Sequence, residues 1–272
     1  IEKCLEDAKI AGFSGIELGG KFPRNPGITN FLLNKYNLKM PGGWYGALLR
    51  SRSAKEEWVA LQDHLNLLKL VKADVFVFAD VSGSIQGDAN RPLTTRPTLE
   101  KDEWKNYCDK ISELSDRLID VGMPMSYHEH MGTIIQSEED VDKFISFTND
   151  NTFLLYDTGH LMFAKANYER VLKNYISRIN HVHCKDIRKE IFLNSIKNNL
   201  SFRDSFLNGV FTVPGDGCID YNPLIKILFD SKYTNWLVIE AEQDPKKANP
   251  LEYAKIGFKY LTNILTHNGY SI

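Results

Sequence analysis

Histidine and carboxylate side chains gather at the ends of four apolar segments between residues 126 and 242. In sequence order the segments are SYHEH, FLLYD, NHVHCKD and LVIEAE. Because alternate residues of a strand face the same side, His128 and His130 share one face. For the same reason His181, His183 and Lys185 share a face of a later strand. Imidazole and carboxylate groups together suit Mn²⁺, Co²⁺, Fe²⁺ or Zn²⁺ better than Ca²⁺, so the four ends predict a divalent-metal site.

Each of these residues also has an ordinary structural interpretation. A His-x-His pair on a strand is often satisfied by backbone groups, and an aspartate such as Asp157 often caps the following helix. Four such ends in consecutive strands would each need a separate partner for a buried polar group, which favours one shared site. His181 lies deeper on the inward face, so we predict that it is a buried, hydrogen-bonded histidine and not a ligand.

The elements that carry these residues alternate between strands and helices along the whole chain. Seven segments read as strands, among them SGIEL (14–18), LKMPGGWY (38–45) and DVFVFAD (74–80). Amphipathic segments such as KEEWVALQDHLNLLKLV predict helices between them. Ser137, three residues before Asp140, predicts the start of another helix.

This alternation predicts parallel βαβ units. The GGKFPRNPG stretch (19–27) lacks the G-x-G-x-x-G spacing of an open dinucleotide-binding sheet. We therefore predict an α/β fold, a (β/α)8 TIM barrel forming a single domain over residues 1–272. A barrel of this kind needs eight strands. Since seven are recognisable, we expect the first strand to lie upstream of Ile1, leaving the domain incomplete at its N-terminus.

Composition limits the partners of the protein. The net charge is −2 over 272 residues, which does not favour nucleic acid or an anionic membrane surface. The four cysteines form no CxxC pair, which suggests reduced thiols and a cytoplasmic location. No apolar run approaches the roughly 18 residues of a membrane span. We expect a small polyol as the substrate and leave homo-oligomerisation open.

Longer motifs extend over most of the chain, from about residue 12 to residue 254. They are GFSGIELGGKFPRNP, GGWYGALL, VSGSIQGD, YHEHMGTIIQSEEDVD, YDTGHLMFA, RINHVHCKDIR, GVFTVPGDGCIDY and WLVIEAEQDPKKANPLEYA. With these motifs the chain resembles the xylose-isomerase-like superfamily of TIM barrels, which includes sugar isomerases, epimerases and endonuclease IV. Within it, the chain most resembles the inosose dehydratase family.

The resemblance implies a ligand set and cofactors. The metal would be held by four side chains, with His130 as the alternative to the first of them: His128, Asp157, His183 and Glu240. Many members of the superfamily have glutamate where His128 stands. The resemblance implies Mn²⁺ or Co²⁺ as the ion, with Zn²⁺ and Fe²⁺ as alternatives, and glutathione as a further cofactor.

The implied reaction is dehydration of 2-keto-myo-inositol to a trihydroxycyclohexane-dione. A base must remove the proton beside the ketone, and an acid must protonate the departing hydroxyl. The expected catalytic residues are His160, Lys185 and Glu242. For Lys185 an ion pair with Asp186 or another carboxylate is an equal alternative. Glu129 is adjacent to His128 and would point to the other face of the strand, so we expect it at the surface or against a helix.

Three further residues are expected to contact substrate: Trp44, His130 and Asp216. Trp44 would line one side of the pocket. Asp216 would face the pocket from a loop between the last two strands, although an ordinary surface turn is the alternative for this aspartate.

Two other functions stay open. A metal-dependent sugar or sugar-phosphate isomerase or epimerase would begin with the same proton abstraction. A non-catalytic carbohydrate-binding barrel would keep the pocket without turnover.

Overall fold

The computed structural model describes residues 1–271 of the chain. Within this range, six strands form one parallel sheet in the order β1-β2-β3-β4-β5-β8, and β6 pairs antiparallel with β7. The strands are β1 (Gly42–Ala47), β2 (Val75–Asp80), β3 (Met125–His128), β4 (Phe153–Asp157), β5 (Ile179–Cys184), β6 (Asp186–Ile187), β7 (Phe211–Thr212) and β8 (Leu237–Ile239).

Helices connect and cover these strands. In chain order they are α1 (Glu2–Ala11), α2 (Pro26–Tyr36), α3 (Ala54–Ala60), α4 (Gln62–Leu70), α5 (Glu103–Asp120), α6 (Glu138–Phe147), α7 (Thr158–Phe163), α8 (Tyr168–Tyr175), α9 (Lys189–Lys197), α10 (Phe202–Leu207), α11 (Tyr221–Asp230) and α12 (Pro250–His267). Short 3-10 turns span Leu93–Thr95 and Ile176–Arg178. Among the described helices, none combines the length and the apolar character that crossing a bilayer requires.

The sequence explains why these segments form a barrel wall. Every residue of β2, VFVFAD, is buried, as expected for a parallel strand covered on both faces. On α5, the buried residues Trp104, Cys108 and Ile111 lie three and four apart and face the sheet. The parallel strands joined by helices confirm the predicted α/β barrel fold. The predicted start of α6 is also confirmed, because Ser137 and Asp140 form a reciprocal cap.

The segment from Ser14 to Leu18 differs from the prediction of a regular strand. It makes only two isolated parallel bridges to the β1 side of the sheet, Gly15 with Lys39 and Leu18 with Gly43. The backbone there approaches closely, since a side chain on Gly43 would meet Leu18. The segment therefore follows the sheet edge without a continuous ladder of bonded residues.

Two predicted strands end earlier than their sequence patterns suggested. The strand SYHEH stops at His128, so His130 lies in the following turn. The strand LVIEAE stops at Ile239, so Glu240 and Glu242 also lie beyond it. Active-site side chains of a barrel commonly stand at these carboxyl ends. The alternation of side chains along a strand therefore does not explain why His128 and His130 lie close together, because His130 is outside the strand.

Candidate metal centre

Four side chains converge at the carboxyl ends of neighbouring strands. His128 ends β3, Asp157 ends β4, His183 lies in β5, and Glu240 follows β8. The register places Asp157 opposite His183, and β5 also pairs with β8. One ligand atom from each residue lies within 4.8 Å of all the others. The parallel pairing of β4 and β5 requires a crossover connection, and the segment between them contains α7 and α8.

The distances suit two or more ligands around one ion. Nδ1 of His183 lies 2.8 Å from Oε2 of Glu240 and 3.6 Å from Oδ2 of Asp157. Nε2 of His128 lies 3.8 Å from the same oxygen of Asp157. At bond lengths of roughly 2.0–2.3 Å, neighbouring ligands of one ion lie about 3–4 Å apart. The side chains therefore fit a single divalent cation.

Asp157 uses its two carboxylate oxygens differently. Oδ1 accepts hydrogen bonds from the backbone amides of Gly159 (2.8 Å) and His160 (2.9 Å), and so caps helix α7. Oδ2 is buried and has no hydrogen-bond partner among the described residues. The capping and metal interpretations of this aspartate are compatible, because each concerns a different oxygen.

Other buried polar atoms around the cluster also lack hydrogen bonds within the described range. They include Nδ1 of His183 and Oε2 of Glu240, the atoms that face the other ligands. Such groups are costly to bury without a partner, and a cation would satisfy them. His128 directs Nδ1 at the backbone carbonyl of Glu129 in a very short contact, which leaves Nε2 as the free ligand atom. The donor set of two imidazoles and two carboxylates fits the implied metal.

The charges of the cluster follow from burial and from its neighbours. Burial holds the pKa of His128 well below its usual range, which keeps this imidazole neutral and able to coordinate. Burial opposes ionisation of Asp157 and Glu240, but the ammonium of Lys185 and the imidazoles of His183 and His128 together outweigh it and lower both pKa values. For His183 burial is likewise outweighed, because the carboxylates of Glu17 and Glu240 raise its pKa.

A second group lies beside the first and contains His130, His160 and Glu242, with one ligand atom of each within 4.8 Å of the others. Oε1 of Glu242 is 4.0 Å from Nε2 of His130, and Oε2 is 3.5 Å from Nε2 of His160. The ammonium of Lys185 already occupies this space. It donates to Nε2 of His160 (2.9 Å) and to Oε2 of Glu242 (3.0 Å).

Lys185 is a buried cation surrounded by carboxylates. Its Nζ also lies 3.1 Å from Glu240 and 3.4 Å from Asp157. Burial disfavours the charge, but the carboxylates outweigh it and raise the pKa of this lysine. Lys185 therefore forms ion pairs, as the alternative interpretation expected, but its partners are Asp157, Glu240 and Glu242 instead of Asp186. That carboxylate instead accepts bonds from the backbone amides of Ile187, Gly215 and Ile219, the last two in or just after the 213–218 loop.

The residues expected to contact substrate fall into two places. The ring of Trp44 lies 5.5 Å from the rings of both His128 and His130 and is 36% exposed, so it borders the cluster at its open side. The carboxylate of Asp216 accepts bonds from Arg188 and Thr212 (both 2.7 Å) and has no contact with the ligand cluster among those found. These contacts agree with an ordinary structural turn, and contact of Asp216 with substrate stays a prediction.

Sequence reasoning missed two carboxylates. Glu17 accepts a hydrogen bond from Nε2 of His181 (2.8 Å) and lies 3.1 Å from Nε2 of His183. The sequence feature that could have identified Glu17 is its position as a single carboxylate within the otherwise apolar GIEL segment. Glu129 is 2% exposed rather than on the surface, and it accepts from the backbone amide of Asp157 (3.0 Å). His181 is buried and hydrogen-bonded, as predicted.

Comparisons with known proteins identify the family to which the chain belongs. Residues 5–264 match the family described as the xylose isomerase-like TIM barrel. The rhizopine catabolism protein MocC of Rhizobium meliloti is 38% identical over 272 residues, covering 100% of this chain and 84% of that protein. An inosose dehydratase of Clostridium botulinum is 40% identical over 266 residues, covering 96% of this chain and 88% of that protein.

The fold comparison leads to the same architecture. The solved structure of the IOLI protein with a bound zinc atom is similar with a TM-score of 0.74 at 16% sequence identity. The match covers 100% of this chain and 95% of that one. At this level of identity the similarity concerns the fold, and it confirms the TIM barrel.

Proposed function

Because the chain belongs to the xylose isomerase-like TIM barrel family, in the group that contains the curated inosose dehydratases, we propose that it dehydrates 2-keto-myo-inositol with a divalent metal ion. Membership of this group makes the chain a hydro-lyase, an enzyme that removes water from its substrate. The proposed product is a trihydroxycyclohexane-dione.

One observation carries the proposal, namely the convergence of His128, Asp157, His183 and Glu240 on one space at the carboxyl ends of the strands. These four side chains would hold the ion. When bound, the ion stabilises the negative charge that develops on the ketone oxygen after proton removal. The contacts of the described residues and the names of the relatives give no support for glutathione, and the proposal does not require it.

Glu242 is the proposed base. Of the three expected catalytic side chains it is the most accessible, at 28% exposed, whereas those of Lys185 and His160 are 1% exposed. Lys185 donates to Oε2 of Glu242, which leaves Oε1 to take the proton from the carbon beside the ketone. Returning that proton to the departing hydroxyl breaks the C–O bond, releases water and restores the carboxylate.

Lys185 and His160 act through Glu242 in this scheme. The ammonium orients the carboxylate and balances the charge of its neighbours, while His160 accepts a bond from the ammonium and fixes its position. Nδ1 of His130 faces the backbone carbonyl of Met131 (2.8 Å), so its Nε2 is free to accept a bond from a substrate hydroxyl. The ring of Trp44 offers an apolar wall for the face of the cyclitol.

Product analysis tests the reaction type. Metal-loaded protein is incubated with 2-keto-myo-inositol, and ultraviolet absorbance and product mass are followed. The proposal predicts a new dione chromophore and a mass lower by one water, both lost in Glu242→Gln and kept in Glu6→Gln, a control on the exposed face of α1. An isomer of unchanged mass would contradict dehydration and support an isomerase or epimerase. Binding without any product would support the carbohydrate-binding alternative.

A further inference from the structure

We propose that Glu17 is a positioning residue of the metal centre, whose carboxylate holds Nε2 of His183 so that Nδ1 of the same ring faces the ion. The inference rests on the proposed metal site and adds a residue outside its ligand set. Glu17 lies between the two bridges that join residues 15 and 18 to the β1 side of the sheet. Its side chain reaches from this edge to the inward face of β5.

The two nitrogens of His183 face different partners. Nδ1 is the atom near the ligand oxygens, 2.8 Å from Glu240 and 3.6 Å from Asp157. Nε2 lies on the other side of the ring, 3.1 Å from Oε2 of Glu17. The side chain of His183 is 4% exposed, so water has little access to either nitrogen. Glu17 is therefore the group placed to interact with Nε2.

This placement selects one tautomer. A neutral imidazole carries one proton, and the nitrogen that binds a metal must be the unprotonated one. Carboxylates lie beside both nitrogens, but an ion held by Glu240 and Asp157 would engage those on the Nδ1 side. Glu17 is then the carboxylate left to hold the ring proton, which lies on Nε2 and leaves the lone pair on Nδ1 free. Histidine ligands of metals usually donate their second N–H to a carboxylate, a backbone carbonyl or water, and loss of that partner typically weakens metal affinity about 10–100-fold.

His181 secures Glu17 in this role. It lies two residues before His183 on the same face of β5 and donates from Nε2 to Oε1 of Glu17 at 2.8 Å. Each carboxylate oxygen therefore meets a different imidazole. The paired contacts fix the plane of the carboxylate, which a single bond would leave free to rotate. They also explain how a side chain that is 22% exposed can be held in one place.

The alternative is that Glu17, His181 and His183 themselves hold an ion, since one ligand atom of each also lies within 4.8 Å of the others. If Nε2 of His183 took part, a second ion on Nδ1 would require the ring to lose both protons and bridge two cations. A carboxylate that accepts a hydrogen bond from His181 and lies 3.1 Å from Nε2 of His183 needs no such bridge. The two interpretations differ in the number of ions bound per chain.

The test uses full-length protein depleted of metal and titrated with Zn²⁺ or Mn²⁺ alone in a calorimeter. We expect one ion per wild-type chain, and about 10–100-fold weaker binding at the same stoichiometry in Glu17→Ala and Glu17→Gln. Glu6→Gln is the control and should bind like the wild type. Circular dichroism and thermal melting of the metal-free proteins check the fold, and Glu17→Gln serves if the alanine variant does not fold.

A second readout isolates the tautomer from general stability. In Zn²⁺-loaded protein labelled with ¹⁵N-histidine, Nδ1 of His183 should bind the ion and Nε2 should carry a proton that exchanges slowly with solvent. In Zn²⁺-loaded Glu17→Gln the proton on Nε2 should exchange faster, because its charged partner is gone. Unchanged affinity and unchanged proton exchange in a folded Glu17→Gln would overturn the inference. Two ions in wild type and one in Glu17→Ala would make Glu17 a ligand instead. No ion bound by wild type would refute the metal site itself.

Discussion

Replacing Asp157 by asparagine or by alanine separates the two functions of its carboxylate. Oδ1 caps α7 through two backbone amides, whereas Oδ2 faces the other ligand atoms without a hydrogen bond among the described residues. Asparagine keeps an oxygen that can cap the helix but puts a neutral amide where the free carboxylate oxygen stood. Alanine removes both groups. The two variants should therefore lose metal alike and differ in stability.

The magnitude follows from the cap. Asparagine and aspartate are about equal as N-caps, and their replacement by alanine costs roughly 0.5–2 kcal/mol. Asp157→Ala should thus be about 1 kcal/mol less stable than Asp157→Asn, or about 2–4 °C lower in melting temperature for a chain of this size. Both variants lose the charge opposite Lys185, so this term cancels between them.

The assay compares metal-free wild type, Asp157→Asn and Asp157→Ala by urea unfolding, and then measures metal binding and dehydration. Metal binding and metal-dependent dehydration should be abolished in both variants while the fold persists. Wild-type metal affinity in Asp157→Asn would refute the assignment of Oδ2 as a ligand. Equal stability of the two variants would refute the capping role of Oδ1.

Three further predictions follow from the same contacts. His183→Ala should abolish metal binding while the protein remains folded, whereas His181→Ala should lower stability in urea unfolding and weaken metal binding without abolishing it; the reverse pattern would mean that the ligand register in β5 is wrong by two residues. Lys185→Met should lower the stability of metal-free protein by about 3–5 kcal/mol, because buried carboxylates lose their counter-ion. Added metal should restore part of the lost stability in thermal melts. Equal losses of stability with and without metal would contradict this role of the lysine. The pKa values of Asp157 and Glu240 are lowered in the folded metal-free protein, so the stability that these carboxylates contribute is present above their unfolded pKa of about 4 and falls as the pH drops below it. Urea titrations at pH 3–6 should show this fall in stability. A double variant, Asp157→Asn with Glu240→Gln, should show a smaller fall.

Strand periodicity predicted much of the fold and indicated where polar groups gather, whereas the ligand set of the candidate metal centre came from the resemblance to the family. The run in β2 is apolar throughout, and polar residues follow several strands at the point where each ends, which together indicate a parallel barrel with its polar groups at one rim. The alternation of side chains along a strand predicted that His183 faces inward and that His181 is buried and hydrogen-bonded. These predictions rest on local rules that the backbone geometry of a strand enforces.

Long-range partners could not be predicted in the same way. Glu17 and His183 are 166 positions apart, and no local pattern shows that the edge segment at Gly15–Leu18 delivers a carboxylate to β5. Parity failed for Glu129 because β3 ends at His128, so the next residue no longer follows strand alternation. The hydrogen bonds of Asp216 with Arg188 and Thr212 could not be predicted either, because sequence spacing does not identify these partners.

The central claim is that one divalent ion, held by the ends of β3, β4, β5 and the segment after β8, is required for dehydration. Adding Mn²⁺, Co²⁺ or Zn²⁺ in fractions of an equivalent to metal-free protein, and measuring the initial rate of dione formation from 2-keto-myo-inositol after each addition, tests it most directly. The account predicts negligible activity without metal and a rise that levels off at one equivalent per chain. Full activity in the metal-free protein, or no activity with any of these ions, would contradict it.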